Sequence, residues 1–516
     1  MAVVEHTGQS GAGGHGGHGG QARPRTYGNW RRPASPGLLG MGALGTVILF
    51  VGLVSLIVGW FTGGFRAVVP LVLVFGAVLA LLAFRDRHGA TGAERLGRWL
   101  LWADGRRRGM HLYRSGALSG VPWGTHQLPG LLAASQLSEW TDSWGRPFAV
   151  LRVPSTGHCS VMFSTEPDGA SLVDAEQVHL WVAQWGAWLS SLSSEAGLVG
   201  ASVTVETAPD SGSRLRQEVE KQAHPDAPAV ALAMLSEVVA RYPEGSATIR
   251  AWVTLTFSAA PRPGARRRSA ADVARDLASR LPVLSQGLLA TGAGGARPVA
   301  AQELCEFVRV AYDPAMALTL DEARHDRSVP ELRWGDVGPV ATEATWSTYR
   351  HDSAVSVTWS MTAPPRGEVY SSVLHGLLNP HPDVDRKRVT LVFRPLDPAR
   401  AARIVEIDKR AADFRATVGD RPSARAIAEQ RAAAATAAEE ALGAGLVDFS
   451  VLVTATVADE QRLPDAIAAV DMLSASARLQ LRPMYGSQDV GFAASLPLGL
   501  MLPAHSALPA SVRSAL

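Results

Sequence analysis

The sequence has few cysteines and few lysines. Its two cysteines, Cys159 and Cys305, are far apart and lie in apolar stretches. Two isolated cysteines cannot form the disulfide framework of a small secreted domain, and they suit a reducing compartment or burial in a core. The basic residues are almost all arginine, with lysine only at Lys221, Lys387 and Lys409. No lysine follows a glycine, so the phosphate-binding Gly-Lys-Ser/Thr loop is absent, which excludes a P-loop ATPase of the usual kind.

Other catalytic signatures are also missing. The chain has no His-Glu-x-x-His, no Cys-x-x-Cys and no Gly-x-Ser-x-Gly, which argues against zinc proteases and α/β-hydrolases. The 49 Lys+Arg and 47 Asp+Glu nearly cancel and are spread along the chain, so no nucleic-acid partner is required. With 516 residues, of which 47% are hydrophobic, the chain is long and apolar enough to bury the cores of two to four domains.

Three weak chemical signals remain. His158 and Cys159 could form a nucleophile pair, but neighbours in a strand point to opposite faces. Asp383 and Asp385 have the spacing of metal-binding aspartates in many glycosyltransferases, although a solvated acidic turn is the favoured interpretation of so short a motif. The run 262–268 is rich in arginine but has no interleaved aromatic residues, so a surface loop is favoured over a nucleic-acid site. We therefore predict no catalytic, cofactor-binding or metal-binding residue and no enzymatic activity.

The N-terminal region predicts a membrane anchor. Residues 1–37 are rich in Gly, His and Arg and are predicted to be a disordered tail. Residues 38–84 contain two charge-free stretches, 38–61 and 67–84, each near the length that spans a bilayer, and they predict a transmembrane hairpin. Residues 85–115 form a basic juxtamembrane segment, in which Glu94 to Arg108 could lie on the anionic inner leaflet as an interfacial helix.

Arginines indicate the orientation of this hairpin. They are concentrated on both sides of it, at Arg23, Arg25, Arg31 and Arg32 before the first span and at Arg85, Arg87, Arg95, Arg98, Arg106, Arg107 and Arg108 after the second. The turn between the spans has Arg66 alone. The positive-inside rule therefore predicts a multi-pass protein of the cell membrane with both termini cytoplasmic.

The remaining sequence predicts an α+β cytoplasmic region. Strand-like and helix-like stretches alternate, and we divide them into subdomain 1 (116–339), subdomain 2 (340–503) and a tail (504–516). Strand–helix–strand order in both parts hints at a duplication. In the first part, Trp181, Trp185 and Trp188 recur at helical spacing and are interpreted as core residues in preference to a binding groove.

Two regions, one near each end of the sequence, resemble a known family. Residues 448–456, 479–492 and 495–499 resemble the end of the non-motor N-terminal domain of type IV secretion and conjugation ATPases, where the motor domain begins just after a Leu-Pro-Leu-Gly stretch. Residues 26–32, followed by a two-helix hairpin, resemble the PrgI family of membrane subunits of the same machines. Together they resemble actinobacterial membrane proteins in which a PrgI-like hairpin is joined to an ATPase-like N-terminal domain.

This resemblance implies a non-enzymatic membrane subunit that anchors or couples a separate ATPase at the inner membrane face. It also implies other channel subunits as partners, assembly into a homo- or hetero-oligomer, and no sequence-specific nucleic-acid binding. Two alternatives stay open. One is an EccE-type component of a type VII secretion system, which shares the hairpin anchor and the α/β domain. The other is a membrane-tethered glycosyltransferase that uses Asp383 and Asp385.

Overall fold

The structure is a computed structural model of the 516-residue chain. It describes residues 25–28, 30, 42–84, 86, 91–117, 119, 125–167, 169, 173–210, 212–224, 226–241, 247–260, 266–326, 328–365, 367–417 and 423–506. The predicted tails 1–37 and 504–516 lie mostly outside these ranges.

The N-terminal part is helical. Helix α1 spans Gly42–Ala83 and is interrupted at Gly64, whose backbone has φ 58° and ψ −150°. Helix α2 spans Gly92–Arg107 and leads into strand β1, Leu112–Arg114. A left-handed φ suits glycine, and the ψ value here breaks the helical path, so α1 consists of two helical segments that meet at Gly64.

The rest of the described chain forms α-helices around one antiparallel sheet. Its first part contains β2 (Gln136–Thr141), β3 (Pro147–Val153), β4 (His158–Glu166), α3 (Ala175–Ser191), β5 (Leu198–Pro209), α4 (Ser213–Gln222), α5 (Ala229–Arg241), β6 (Ala247–Ser258), α6 (Ala270–Leu289), β7 (Gly295–Pro298), α7 (Ala301–Tyr312) and α8 (Met316–His325). Its second part contains β8 (Ala341–Ala344), β9 (Tyr349–His351), β10 (Ala354–Ala363), α9 (His375–Leu378), β11 (Arg386–Pro395), α10 (Pro398–Thr417), α11 (Ala424–Ala441), β12 (Val447–Val457), α12 (Leu463–Ser476), β13 (Gln480–Pro483) and α13 (Gln488–Ser495).

The sheet is continuous across the boundary that the sequence suggests between two subdomains. The strand order is β1-β8-β9-β10-β12-β11-β5-β6-β4-β3-β2, with β13 beside β10 and β7 beside β4. The central pair is β11 and β5, joined over seven residue pairs from Lys387↔Thr207 to Phe393↔Ala201. The mixed helix and strand content is therefore confirmed, whereas the division into two subdomains stays a prediction.

The two halves of the sheet repeat the same order of elements. In each, a hairpin (β3–β4 or β9–β10) precedes a strand, two helices and a second strand (β5-α4-α5-β6 or β11-α10-α11-β12). A long helix, a short strand and another helix follow (α6-β7-α7 or α12-β13-α13). The two halves therefore have a similar order of elements, and they meet at the paired strands β5 and β11.

Hydroxyl groups on one face of the sheet follow this repeat. Ser160 contacts Thr256 at 3.1 Å between β4 and β6, and Ser356 contacts Thr456 at 2.7 Å between the corresponding strands β10 and β12. At the centre, Thr204 of β5 faces its registered partner Thr390 of β11 at 3.1 Å. These six hydroxyl groups are buried and hydrogen-bonded, whereas the Ser202 hydroxyl on the same face of β5 is buried with no hydrogen-bond partner among the described residues.

A C-terminal strap, defined here as residues Ser495–Met501, crosses this face from one half to the other. The Ser495 carbonyl accepts from Thr390 at 2.8 Å, that of Pro497 from Thr254 at 2.9 Å, and that of Gly499 from Thr256 at 2.9 Å. Gly499 has φ +69°, and a Cβ there would lie 2.2 Å from the Thr256 hydroxyl oxygen. The strap therefore requires glycine for both its backbone shape and its close approach.

Apolar side chains pack on both faces. On the strap side, α7, α13 and the strap residues Leu496, Leu498 and Leu500 share one cluster. On the opposite side, α3 and α6 cover the first half and α12 covers the second. The sheet is thus the middle layer of three, which explains why β4, β6 and β12 are nearly continuous runs of buried residues.

Candidate membrane interface

One helix among the described residues is long and apolar enough to cross a bilayer, Thr46–Arg66, and a shorter apolar helix, Val68–Leu81, follows it. Only 11% of the most apolar 18-residue stretch of the first helix is buried within the protein. Large apolar side chains are exposed along both helices, including Phe50, Val54, Phe61 and Leu73. An apolar surface of this extent is typical of segments covered by lipid or by another protein.

The two helices contact each other across Gly64. A Cβ at Gly52 would lie 2.8 Å from the Phe75 ring, and one at Gly59 would lie 2.7 Å from a Leu71 methyl carbon. The contact nearer to Gly64, between Gly59 and Leu71, joins residues that are closer in sequence than the contact between Gly52 and Phe75. This is the order expected when a chain folds back on itself. Glycine at positions 52 and 59 permits this approach because a side chain there would collide with the facing residue.

Helix α2 begins with a capping box and presents two different faces. The Thr91 hydroxyl accepts from the Glu94 backbone N–H, and the Glu94 carboxylate accepts from the Thr91 backbone N–H. Leu96, Trp99 and Leu100 lie on one face and are about half exposed. These positions recur at intervals of three and four residues, so they form one apolar stripe that the folded domain leaves uncovered.

The other face of α2 docks on the sheet domain through Trp102. The Trp102 ring meets Trp346 edge to face with centroids 5.5 Å apart, and Trp346 stacks on Tyr485 at 5.8 Å. Gly486 follows in the chain, and a Cβ there would lie 3.3 Å from the Trp102 Cβ. This aromatic cluster fixes the position of α2 beside the end of β13.

The chain before the apolar helix is also attached to the domain. Tyr27 forms a β-bridge with Val369 and is only 6% exposed, and its hydroxyl lies 2.6 Å from His179 Nδ1. Sequence analysis assigns Tyr27 to a disordered tail, and here the structure differs. Tyr27 is buried through contacts with residues that are distant in sequence. The average composition of a Gly-rich segment does not predict such contacts.

Both attachments lie beside β13, that of Tyr27 near the start of the strand and that of Trp102 just after its end. Arg478, two residues before β13, donates to the backbone oxygen of Glu368 at 2.8 Å. Glu368 is the neighbour of Val369, the bridge partner of Tyr27. The segments on either side of the apolar helix are therefore held close to β13. The surface around β13, together with the exposed face of α2, is the candidate membrane interface.

The His158–Cys159 pair forms no nucleophile. Cys159 is fully buried, and desolvation raises its pKa, so the thiol stays protonated. Desolvation, with smaller effects of His505 and Arg267, lowers the pKa of His158 to about 4. Cys159 packs with the core beneath α6, and no hydrogen bond joins it to the imidazole in the described structure.

Asp383 and Asp385 do not converge on one site. Asp385 accepts from the backbone N–H of Ala458 at 2.9 Å and is paired with the Arg462 guanidinium. Asp383 is half exposed and lies 3.6 Å from His381 Nδ1. Through these contacts Asp385 joins the start of α12 to the end of β12. In the part of the chain that the structure describes, no group of three or more His, Cys, Asp or Glu could hold a metal ion.

The other sequence signals have structural roles where they are described. Arg267 packs over Gly157, and Arg268 lies 3.3 Å from Asp276; residues 261–265 of the basic run lie outside the described ranges. The Trp188 side chain is buried and stacks on half-buried Trp185 with centroids 5.0 Å apart. The interpretation of this stripe as core is confirmed at Trp188.

Sequence analysis misses a buried charge cluster at the central strand pair. Glu206 on β5 lies 3.0 Å from both Arg386 and Arg388 of β11, and Glu206 and Arg388 are 3% and 1% exposed. The Arg388 Nε–Glu206 Oε2 contact lacks the alignment of a hydrogen bond, so we describe it as an ion pair. Charged residues at alternate positions of an otherwise apolar strand are the signal that could have revealed this cluster.

Comparison with known proteins gives one partial match. A family described as a domain of unknown function, DUF8461, matches residues 34–94. The match covers the apolar helix and the capping box of α2, and it stops before the sheet domain. A search of curated proteins finds no match to this chain.

Proposed function

We propose that this protein is a non-enzymatic, integral membrane subunit of a type IV secretion or conjugation-like apparatus, and that it anchors or couples a separate ATPase at the inner membrane face. The observation that carries the anchoring part is the double attachment at the candidate membrane interface. Tyr27 and Trp102 flank the apolar helix, and both attach beside β13. The assignment to this class of machine rests on the sequence resemblance.

The proposed topology is a hairpin that crosses the membrane twice. The first segment, Thr46–Arg66, meets the length of a span. The second, residues 67–83 of α1, rises about 26 Å at 1.5 Å per residue, which is near the lower limit for crossing the hydrocarbon core. The contacts of Gly52 with Phe75 and of Gly59 with Leu71 support an antiparallel pair. A tight reversal at Gly64 would place Arg66 alone on the outer side.

The proposed mechanism is mechanical coupling. The sheet is continuous over eleven strands in one path, and both of its faces are covered by packed helices. Such a layer transmits displacement because its close-packed interior deforms little. Nucleotide-driven motion of a separate ATPase docked on the domain would therefore reach the membrane segment. In this proposal the protein acts as an oligomer with other channel subunits and contributes no chemistry of its own.

Of the alternatives, the glycosyltransferase loses its support, because Asp385 is paired with Arg462 and bonded to the Ala458 N–H. The EccE-type alternative shares the anchor and domain type with our proposal. No described contact favours it, and partner identity separates the two.

The first test is membrane partition followed by partner identification. The full chain, tagged at its C-terminus, is expressed in its native host, and membranes are washed with carbonate before detergent extraction. We expect the protein to resist the wash and to be recovered with a Walker-motif ATPase that lacks its own N-terminal domain. Release by carbonate would refute the integral anchor. Recovery of type VII components would transfer the assignment to the EccE-type alternative.

A further inference from the structure

Two buried N–H donors lack partners where α2 meets the sheet domain. The Nε atom of Arg482 and the indole Nε1 of Trp102 are both inaccessible to solvent, and neither has a hydrogen-bond partner among the described residues. A buried donor without a partner has lost its hydrogen bonds to water with nothing in return, and the penalty is larger for a charged group. Two such donors at one contact therefore suggest an acceptor that binds there.

The two donors belong to one site. Arg98 and Trp102 are separated by one helical turn and share the docked face of α2. Arg482 lies on β13, three residues before Tyr485, whose ring belongs to the aromatic cluster that holds Trp102. Desolvation lowers the pKa of Arg482, and the positive charge of Arg98 adds a smaller effect in the same direction.

The local charge favours an anion. Arg98 and Arg482 form no ion pair within 4 Å with any described residue, and the Arg106 guanidinium lies 5.3 Å above the Trp102 ring. Glu94 and Asp86 are near enough to oppose the effect of Arg98 on Arg482, so the site also contains negative charge. Over residues 91–108, five arginines face two carboxylates, one of which, Asp104, is occupied by Arg108 at 2.9 Å. The balance is positive.

We propose that Arg98, Arg482 and the indole N–H of Trp102 bind the phosphate of an anionic phospholipid headgroup. A guanidinium group binds phosphate oxygens through paired, charge-assisted hydrogen bonds, and an indole N–H can donate to a third oxygen. The exposed stripe Leu96, Trp99 and Leu100 on the same helix would lie among the acyl chains just below. The site would lock α2 to the inner leaflet, and it rests on the membrane location proposed above.

The experiment uses the full-length chain in a mild detergent and native mass spectrometry with added phosphatidylglycerol or phosphatidylcholine. We expect one phosphatidylglycerol to remain bound at collision energies that remove phosphatidylcholine. Arg482→Gln and Arg98→Gln should each weaken its retention about tenfold, because each removes a charge-assisted hydrogen bond to the phosphate. Arg108→Gln, which removes the same charge from the same helix, is the matched control and should retain the lipid.

Two outcomes would overturn the proposal. Equal losses in Arg98→Gln, Arg482→Gln and Arg108→Gln would show that total positive charge, and not this site, attracts the lipid. Displacement of phosphatidylglycerol by inorganic phosphate at equal concentration would identify a site for the free ion instead. Failure of the membrane location is distinguishable, because the protein would then be released by the carbonate wash whichever lipid it binds. Arg98→Gln alters a half-exposed side chain of α2, so the test remains informative if Arg482→Gln impairs folding.

Discussion

Replacing Glu206 by glutamine should strongly destabilise the sheet domain. The carboxylate lies 3.0 Å from Arg386 and from Arg388, and the Arg388 side chain is 1% exposed. At an effective dielectric constant of about 20, one unit-charge pair at this distance has a Coulomb energy of roughly 5 kcal/mol. Desolvation offsets much of that energy in the intact cluster, but removing one partner leaves a buried charge uncompensated, at a cost of about 3–5 kcal/mol.

The assay is urea unfolding of the full chain in mild detergent, followed by tryptophan fluorescence. The matched control is Glu460→Gln, which breaks an ion pair with Arg350 in which both side chains are more than half exposed and should cost less than about 1 kcal/mol. A double variant, Glu206→Leu with Arg388→Met, should recover part of the loss because it removes the buried charge. If Glu206→Gln and Glu460→Gln shift the free energy of unfolding equally, the buried ion pairs contribute no more to stability than an exposed one, which would refute this prediction.

Two further predictions concern the strap and a buried histidine. Gly499→Ala should lower the free energy of unfolding by about 2–4 kcal/mol, because φ is +69° and the new Cβ would meet the Thr256 hydroxyl at 2.2 Å; Gly109→Ala, at φ +72° in open space, should lose only the backbone part in the same urea assay. Burial lowers the pKa of His351 to about 4. Between pH 6.5 and 4 the unfolded chain therefore binds a proton that the folded chain does not. As the pH is lowered through this range, the free energy of unfolding should decrease by up to about 1.4 kcal/mol per pH unit. Unfolding titrations should show a smaller fall for His351→Gln and an unchanged one for His224→Gln, whose side chain is 74% exposed; an unchanged fall in both would contradict the assignment.

Much of the fold could be predicted from periodicity. Strand-like alternation at residues 247–257 and 447–457 corresponds to β6 and β12, and the helical spacing of the tryptophans corresponds to α3. These elements are long, and each buries apolar residues in a regular pattern. The short strands β7, β8 and β9 have three or four residues each and are defined by their pairing partners, so local pattern does not predict them.

The candidate site was harder to predict, because its contacts join segments distant in the chain. The sequence alone favours a helix near Glu94 to Arg108, and the structure confirms α2 there. Nothing local shows that Trp102 meets Trp346 and Tyr485, or that Tyr27 leaves a Gly-rich tail to bridge Val369. The strap illustrates the same limit. Its Leu-Pro-Leu-Gly sequence is part of the resemblance to secretion ATPases, but only the fold shows that Gly499 lies against Thr256.

The attachment of α2 bears directly on mechanical coupling, because α2 reaches the sheet by two independent routes. One is the docking of Trp102 against Trp346 and Gly486. The other is a short turn, residues 108–111, that leads into β1, the edge strand paired with β8. The Met110 N–H donates to the Gly105 oxygen at 2.9 Å, and the His111 oxygen accepts from Ala344 at 2.8 Å, so the turn is hydrogen-bonded at both ends.

If both routes transmit motion, only their combined loss should free the helix. Spin labels at Arg107→Cys and Val340→Cys report the distance between α2 and the sheet edge, since the native cysteines Cys159 and Cys305 are buried and should not be labelled. We expect a narrow distance distribution in the parent chain, in Trp102→Ser, and in a variant with about six Gly/Ser residues inserted after Gly109. The combination should broaden it. A broad distribution in the parent chain would mean that α2 moves independently of the sheet, and displacement of the membrane segment could not then pass through the domain as proposed.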